Sequence, residues 1–232
     1  MSRSNNVELK NPSERFLRWD GEHGGFHYWD KSLGEKGERV KVGLPFEFVV
    51  LDILSTVKGF DDSNQSGYWS NEVRNISKDE LVVRNSKGIC AKGMYGEIIK
   101  DLTGARYCQS VYVAYDDFVG GWKIGNIQMM GSALSAWIDY RKKGKVFSGK
   151  IVINEMKDGK KGKTEYKIPV FTWAEIPQET DDTAKGLDVQ LQDYLGKYIA
   201  SRKNETVEEH PQETPTPTDA PSPDPEKDDL PF

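Results

Sequence analysis

The stretch from Arg39 to Gly59 constrains the fold more than any other part of the chain. Between Phe46 and Val57, eight of the twelve residues are apolar, and most of them favour β-structure. Such a strand is expected to be buried on more than one side, as in a small closed barrel where one strand bends and contributes to two sheets. Gly43 and Pro45 can supply a kink or an edge at the start of that strand.

The rest of the chain predicts short strands joined by turns, and few helices. Further strands are expected at residues 68–75, 81–85, 89–93, 107–118 and 122–130, and a hairpin is expected from 146–156 and 164–175 around a turn at 158–163. Apolar residues at helical spacing predict helices at 95–102, 131–143 and about 182–202. This order favours a mainly β fold, an antiparallel barrel like the oligonucleotide-binding (OB) fold with added helices, over a parallel α/β sheet. The helix at 95–102 lies where the OB fold carries one, which is an analogy with that fold.

An added N-terminal hairpin is expected before the barrel, from aromatic-rich runs at residues 15–20 and 26–31 around three glycines. Its aromatic residues are Phe16, Trp19, Phe26, Tyr28 and Trp29. Most of these rings are expected to pack onto the main domain.

Residues 204–232 differ in composition from the rest of the chain. They hold seven of the eleven prolines, nine acidic residues and one lysine, so they carry a net charge of −8 where residues 1–203 carry +3. A segment with so little apolar surface to bury is predicted to be disordered. The chain is therefore expected to be one domain, 1–203, followed by an acidic proline-rich tail, 204–232. The tail either competes with a polyanion for the domain or serves only solubility.

The last five residues resemble the C-terminal tip of bacterial single-stranded DNA-binding proteins. They are Asp228, Asp229, Leu230, Pro231 and Phe232: acidic residues, then an aliphatic residue, then Pro-Phe. The upstream domain is longer than the bacterial one, so the chain resembles a bacteriophage single-stranded DNA-binding protein with a host-type tip. The resemblance implies sequence-nonspecific binding of single-stranded DNA in replication, recombination or repair, in the host cytoplasm. It also implies that the tip recruits host or phage replication and repair proteins.

Basic residues interleave with aromatic residues along the predicted barrel. Single-stranded nucleic acid needs this mixture, because bases stack on aromatic rings while lysine and arginine neutralise phosphates. The candidate DNA-binding residues are Lys58, Tyr68, Trp69, Arg74, Arg84, Lys87, Lys92, Arg106, Tyr107, Tyr112, Trp122 and Lys123, and Tyr95 and Tyr115 belong to the same pattern. For Tyr68, Trp69 and Tyr112, the core and the nucleic-acid face are equally supported, whereas Trp137 is expected in the core.

Signals for catalysis are weak. His23 and His27 are four residues apart but lie among glycines, which does not favour the helix that a metal site with this spacing would use. Cys90 and Cys108 form no Cys-x-x-Cys pair, and no glycine-rich phosphate loop is present. We therefore expect no enzyme activity, no metal and no cofactor. A scaffold protein that uses the same tip and a nuclease are the alternatives.

The chain has a polar start and no apolar run near the length that crosses a bilayer. These features predict a protein without a signal peptide or membrane span, located in the cytoplasm.

Overall fold

The protein's structure, a computed structural model, describes residues 9–117 and 120–204. The strands in these ranges are β1 (Arg15–Trp19), β2 (Phe26–Asp30), β3 (Glu38–Lys41), β4 (Phe46–Asp61), β5 (Ser66–Ser70), β6 (Leu81–Asn85), β7 (Gly88–Gly93), β8 (Ala105–Asp116), β9 (Trp122–Met129), β10 (Lys150–Ile153), β11 (Met156–Lys161), β12 (Thr164–Pro169) and β13 (Thr172–Ala174). The helices are α1 (Tyr95–Ile98), which continues as a 3-10 turn to Asp101, α2 (Gly131–Arg141) and α3 (Gln178–Asn204). The predicted tail from residue 205 onward lies outside the described residues.

Strand β4 organises the main sheet. One edge pairs with β8 over residues 49–59, while the other edge pairs with β10 over 46–49 and with β5 over 58–61. The register with β8 shifts between Val50 and Asp52, where a bulge bends the strand and increases its twist. As predicted, one long apolar strand therefore serves two sets of partners.

The main sheet is mixed. Its strands follow the order β3-β2-β1-β9-β8-β4-β5-β6-β7, with β10 and β13 attached beside β4. β1 and β9 run parallel, whereas the expectation was an antiparallel arrangement throughout. The β-rich class is confirmed, but among the described strands the path ends at β3 and β7 and does not close into a barrel.

Two predicted segments divide differently in the structure. The strand predicted from Arg39 is interrupted before β4, at residues 42–45. The turn predicted at 158–163 is wrong, because residues 158–161 belong to β11 and the chain turns at Gly162, where φ is +59°. β11 and β12 form a two-stranded ribbon of their own, whereas β10 and β13 join the main sheet. Helices are present at all three predicted places, and α3 begins earlier than expected, at Gln178.

The two faces of the main sheet are covered by different helices. Trp137 of α2 belongs to a cluster of buried residues with Phe48 and Ile127 on one side, which we call the α2 face. Leu191 of α3 belongs to a cluster with Leu54 and Tyr112 on the opposite side, which we call the α3 face. No helix within the described ranges is long and apolar enough to cross a membrane.

Candidate nucleic-acid interface

Four of the sequence-predicted residues stand in one row across the α3 face. In the strand register, Arg106 of β8 is opposite Lys58 of β4, Lys58 is opposite Trp69 of β5, and Trp69 is opposite Arg84 of β6. Residues opposite each other on paired strands project from the same face of a sheet. All four side chains are half-buried, so they remain accessible to a ligand. At about 4.8 Å between strands, the row spans about 14 Å. We call it the cationic row.

Two cations of this row have no ion-pair or side-chain hydrogen-bond partner among the described residues. Neither the ammonium of Lys58 nor the guanidinium of Arg84 forms an ion pair or a side-chain hydrogen bond with any other residue of 9–117 and 120–204. Burial lowers the pKa of Lys58, and the nearby Arg18 lowers it further, while Cys108 and Glu72 act in the opposite direction. A cation that loses water without gaining a partner is costly to the folded protein. A bound phosphate would supply that partner.

A second row on the same face brings Arg18 towards the first. Leu54 of β4, Ser110 of β8, Gln128 of β9 and Arg18 of β1 are successive register partners. Arg18 Nε donates a hydrogen bond to Gln128 Oε1 at 2.8 Å, and burial lowers the pKa of Arg18. Arg18 and Lys58 both act on the thiol of Cys108, so the two cations lie close together.

The thiol between these cations does not neutralise them. Cys108 is fully buried, and burial raises its pKa to about 12. The thiol therefore stays protonated at neutral pH, because the two cations only partly oppose the effect of burial. Arg18 and Lys58 thus place two positive side chains beside Cys108, with the carboxylate of Glu72 also close to Lys58.

Two aromatic side chains on the α3 face were not among the predicted site residues. Phe16 of β1 is opposite Asn126 in the register and projects to the same side as Arg18. Trp29 of β2 is opposite Arg39 and projects to the same side as His27. Their exposed fractions are 44% for Phe16 and 48% for Trp29.

The expectation that hairpin aromatics pack onto the domain holds for the other three rings. Phe26 is buried in the cluster on the α2 face, and Trp19 and Tyr28 pack against that cluster. In β1 and β2, alternation separates these inward residues from Phe16 and Trp29. That alternation is the sequence signal that could have identified the two exposed rings.

Several predicted aromatic residues are core residues instead. Tyr112 is fully buried beneath α3, where its hydroxyl donates to Glu72 Oε2 at 2.6 Å. Tyr68 is buried on the α2 side, and its hydroxyl donates to Asp61 Oδ2 at 2.9 Å. Neither ring is accessible for stacking on a base, which corrects the alternative that placed them on the nucleic-acid face. The physical reason is that adjacent residues of a strand face opposite ways, so Tyr68 points away from Trp69.

The remaining predicted aromatic residues also lie off the cationic row. Tyr107 is on the α2 side, where its hydroxyl contacts Ser55 and Gln109, and the ring of Tyr95 is 6.0 Å away. Trp122 packs against the buried cluster beside the start of α3. Tyr115 is buried on the α2 face, and burial raises its pKa to about 12. These placements come from tertiary packing that the sequence pattern does not specify.

Four predicted basic residues already have partners. Arg74 pairs with Asp52, Lys123 Nζ lies 2.8 Å from Glu14 Oε1, Lys92 Nζ lies 3.5 Å from Glu80 Oε2, and Lys87 donates to Asn64. The first three side chains are thus neutralised by carboxylates of the protein, and the fourth is hydrogen-bonded to an amide oxygen. Lys58 and Arg84 are therefore the stronger candidates for binding an external anion.

Replacing Tyr112 by phenylalanine should reduce stability and leave nucleic-acid binding unchanged. The variant removes the hydroxyl that donates to Glu72 and accepts from Asn11 Nδ2 at 3.3 Å, so the half-buried carboxylate loses a donor. We expect a loss of about 1–2 kcal/mol in the free energy of unfolding, measured with urea. Weaker binding of DNA by a variant that remains folded would contradict the core assignment.

The described residues contain no cluster of side chains that could bind a metal ion. No group of three or more histidine, cysteine, aspartate or glutamate side chains is placed to hold a metal ion in these ranges. His27 Nδ1 lies 3.1 Å from Arg39 Nη2, and burial followed by Arg39 lowers the pKa of His27 to about 4. At neutral pH this histidine is therefore neutral and does not add to the positive charge of the face.

Comparisons of the chain with protein-family models, with curated proteins and with solved structures found no match. The support for a function therefore comes from the sheet face and from the residues of the sequence.

Proposed function

We propose that the protein binds single-stranded DNA without sequence preference and without catalysis. The observation that carries this proposal is the placement of Trp69 between Lys58 and Arg84, two cations without a partner in the part of the chain that the structure describes, on an accessible sheet face. In this role the protein protects displaced strands in replication, recombination or repair.

The cationic row suits a single strand better than a duplex. Phosphates pair with Lys58 and Arg84, while a base stacks on the half-buried ring of Trp69. Every base has a face that can stack, so this contact does not select a sequence. In a duplex the base faces are already stacked on one another and cannot reach the ring. The preference for DNA over RNA is supported by the resemblance of Asp228–Phe232 to the bacterial tip.

A titration of fluorescent oligothymidine with the full chain tests the proposal. We expect tight binding that weakens with added salt, and much weaker binding of a duplex of the same length. The Trp69→Ala variant should retain its stability and lose part of its affinity, since stacking on one ring is worth about 1–3 kcal/mol. Equal affinity for single strand and duplex would contradict base stacking.

A second candidate is a recruiter that binds proteins through Asp228–Phe232 and needs no DNA. The acidic pair Asp228–Asp229, followed by Leu230 and Pro-Phe, favours it, since Phe232 can fill a small pocket with a basic rim. In the combined role that we propose, the tip recruits replication and repair proteins to the coated strand.

Replacing Phe232 by alanine should remove partner capture and leave DNA affinity nearly unchanged. The ring is the apolar anchor of the proposed contact, and it lies far along the sequence from the cationic row. Pull-downs from a host extract with wild-type and variant bait, followed by identification of replication and repair proteins, measure the difference. Equal capture by both baits would count against the tip.

Removing residues 205–232 should raise the affinity for single-stranded DNA by a few-fold at low salt. These residues carry nine acidic side chains and one lysine, so they compete with phosphates for the cationic row. The difference should shrink as salt screens the charges. Titrations of the two chains over a salt series measure it, and equal affinity at every salt concentration would show that the segment does not compete.

A further inference from the structure

A groove of about 420 Å³ lies between α2 and the ribbon formed by β11 and β12. Its lining includes Ser135, Asp139 and Lys143 on the helix side, and Lys157, Tyr166 and Ile168 on the ribbon side. The combination of basic side chains and an aromatic ring resembles the chemistry of the cationic row. No sequence prediction or comparison assigned a role to it.

The charge of this groove is positive. Lys142 Nζ lies 2.7 Å from Asp139 Oδ1, so the acidic side chain of the lining is neutralised. Within the described ranges, Lys143 and Lys157 have no carboxylate partner. The groove therefore presents two available cations to an anion.

The ribbon has two faces that differ in charge. On the face away from the groove, Lys160 Nζ pairs with Glu165 Oε1 at 2.9 Å and Lys167 Nζ pairs with Asp158 Oδ1 at 2.5 Å. On the groove face, the register places Lys157 opposite Ile168, without a carboxylate across from it. On β11, Lys160 is thus neutralised on the face away from the groove, whereas Lys157 is available to bind an anion on the groove face.

Tyr166 on the groove face lies against the backbone of the ribbon. It is opposite Gly159 in the register, and a Cβ added at Gly159 would come within 2.4 Å of the tyrosine ring. Only glycine leaves room for the ring in this position. The ring therefore packs directly on the backbone of Gly159, and this contact lowers the entropy lost when a base stacks on it.

The base of the ribbon is joined to the strand that carries Arg18. The indole Nε1 of Trp19, the next residue along β1, donates to the carbonyl oxygen of Lys167 at 2.9 Å. The amide of Lys167 donates to the carbonyl oxygen of Gly21 at 2.6 Å, and Ser132 Oγ donates to the carbonyl oxygen of Lys167 at 3.1 Å. The groove thus begins beside the end of β1 but on the α2 face, so a strand reaches it from the cationic row by passing over this end of the sheet.

We infer that this groove binds a second segment of the same single strand, with phosphates on Lys143 and Lys157 and a base on Tyr166. The inference rests on the proposed function, because it extends the path of the strand beyond the cationic row. A long strand then contacts both surfaces, and a strand of a few nucleotides contacts the cationic row alone.

The matched variants Lys157→Glu and Lys160→Glu test the groove. Both change the same charge on the same strand of the ribbon, but only Lys157 faces the groove. Titrations with oligothymidine of about 6 and about 30 nucleotides, one within and one beyond the usual site size of about 4–16 nucleotides, separate the two surfaces. For the long strand we expect a loss of about fivefold to tenfold for Lys157→Glu and for Tyr166→Ala, and little change for Lys160→Glu. The short strand should bind all variants as it binds the wild type.

Photo-crosslinking gives a readout that does not depend on a variant. The oligothymidine of about 30 nucleotides, with 5-iodouracil in place of some thymines, should crosslink to Tyr166 in the full wild-type chain. Mass spectrometry of the digested product locates the crosslinked residue. Variants that fail to fold therefore leave the inference testable.

The outcomes separate the inference from the proposed function. If the wild type binds neither strand, both are wrong. The groove alone is overturned if the wild type binds while Lys157→Glu matches Lys160→Glu and no crosslink forms at Tyr166. Equal weakening of the short and the long strand by Lys157→Glu would also overturn it, because the groove would not then be a second segment of the path.

Discussion

The full chain with both Lys58→Glu and Arg84→Glu is expected to bind single-stranded DNA about a hundredfold more weakly than the wild type at low salt. A hydrogen bond to a charged group contributes about 1.5–3 kcal/mol, so two lost phosphate contacts account for about 3 kcal/mol or more. At 1.4 kcal/mol for each factor of ten, this corresponds to about a hundredfold. The two new carboxylates also repel the phosphates that the cations attracted.

The salt dependence of the same variant distinguishes lost phosphate contacts from a general loss of structure. For single strands the slope of log K against log salt falls by about 0.7 for each phosphate contact removed. The double variant should therefore have a slope shallower by about 1.4. Binding that weakens without any change of slope would show that the cationic row does not contact phosphates.

A matched control changes the same net charge elsewhere on the surface. Lys185 and Lys197 lie on α3 and pair with Asp181 and Asp193, at 2.5 Å and 2.6 Å. The Lys185→Glu, Lys197→Glu variant should lose far less affinity, since both lysines already have partners. Equal losses in the two double variants would mean that net charge, and not the cationic row, governs binding. Urea unfolding of each variant confirms that it is folded.

The cationic row could be predicted only in part from the sequence. Lys58, Trp69 and Arg84 are recognisable as basic and aromatic residues on expected strands, and alternation fixes which neighbours share a face with each of them. What alternation does not give is the register between strands. The row exists because β4, β5 and β6 are neighbours with Lys58, Trp69 and Arg84 aligned, and this alignment depends on the whole sheet.

Tyr112 shows a second limit of the sequence. Its strand alternates in a way that is compatible with an exposed face, and the face is the same one that carries Lys58. The ring is buried because Leu191 and Leu195 of α3 cover that part of the sheet. Helical spacing predicted α3, but the position of a helix on a sheet is set by packing between distant segments. An expected surface residue therefore became a core residue.

The ribbon shows how composition can mislead about local structure. Residues 158–163 are rich in glycine and lysine and were expected to form a turn. Four of them continue β11, because Asp158 and Lys160 each face a side chain of opposite charge on β12. Such cross-strand pairs favour the strand but depend on a partner that the local sequence does not contain.

Raising the pH should weaken binding of single-stranded DNA before ordinary lysines lose their charge, and the Lys58→Arg variant should not show this early loss. Burial lowers the pKa of Lys58, with Arg18 adding to the effect, so this ammonium releases its proton at a lower pH than an exposed lysine. The neutral amine no longer attracts a phosphate. A bound phosphate favours the charged form and raises the pKa again, so affinity declines as the pH passes from the lowered pKa towards the ordinary value of about 10.5.

Arg18 and Cys108, two titratable groups near Lys58, do not change their charge in this pH range. Arg18 keeps its charge, and burial raises the pKa of the Cys108 thiol to about 12. Loss of one charged contact corresponds to about tenfold in affinity or more. Titrations of wild type and Lys58→Arg between neutral pH and about 10 measure the difference, below the ordinary lysine value. Parallel curves for the two proteins would show that Lys58 is not in contact with the strand, because an arginine at this position stays protonated throughout.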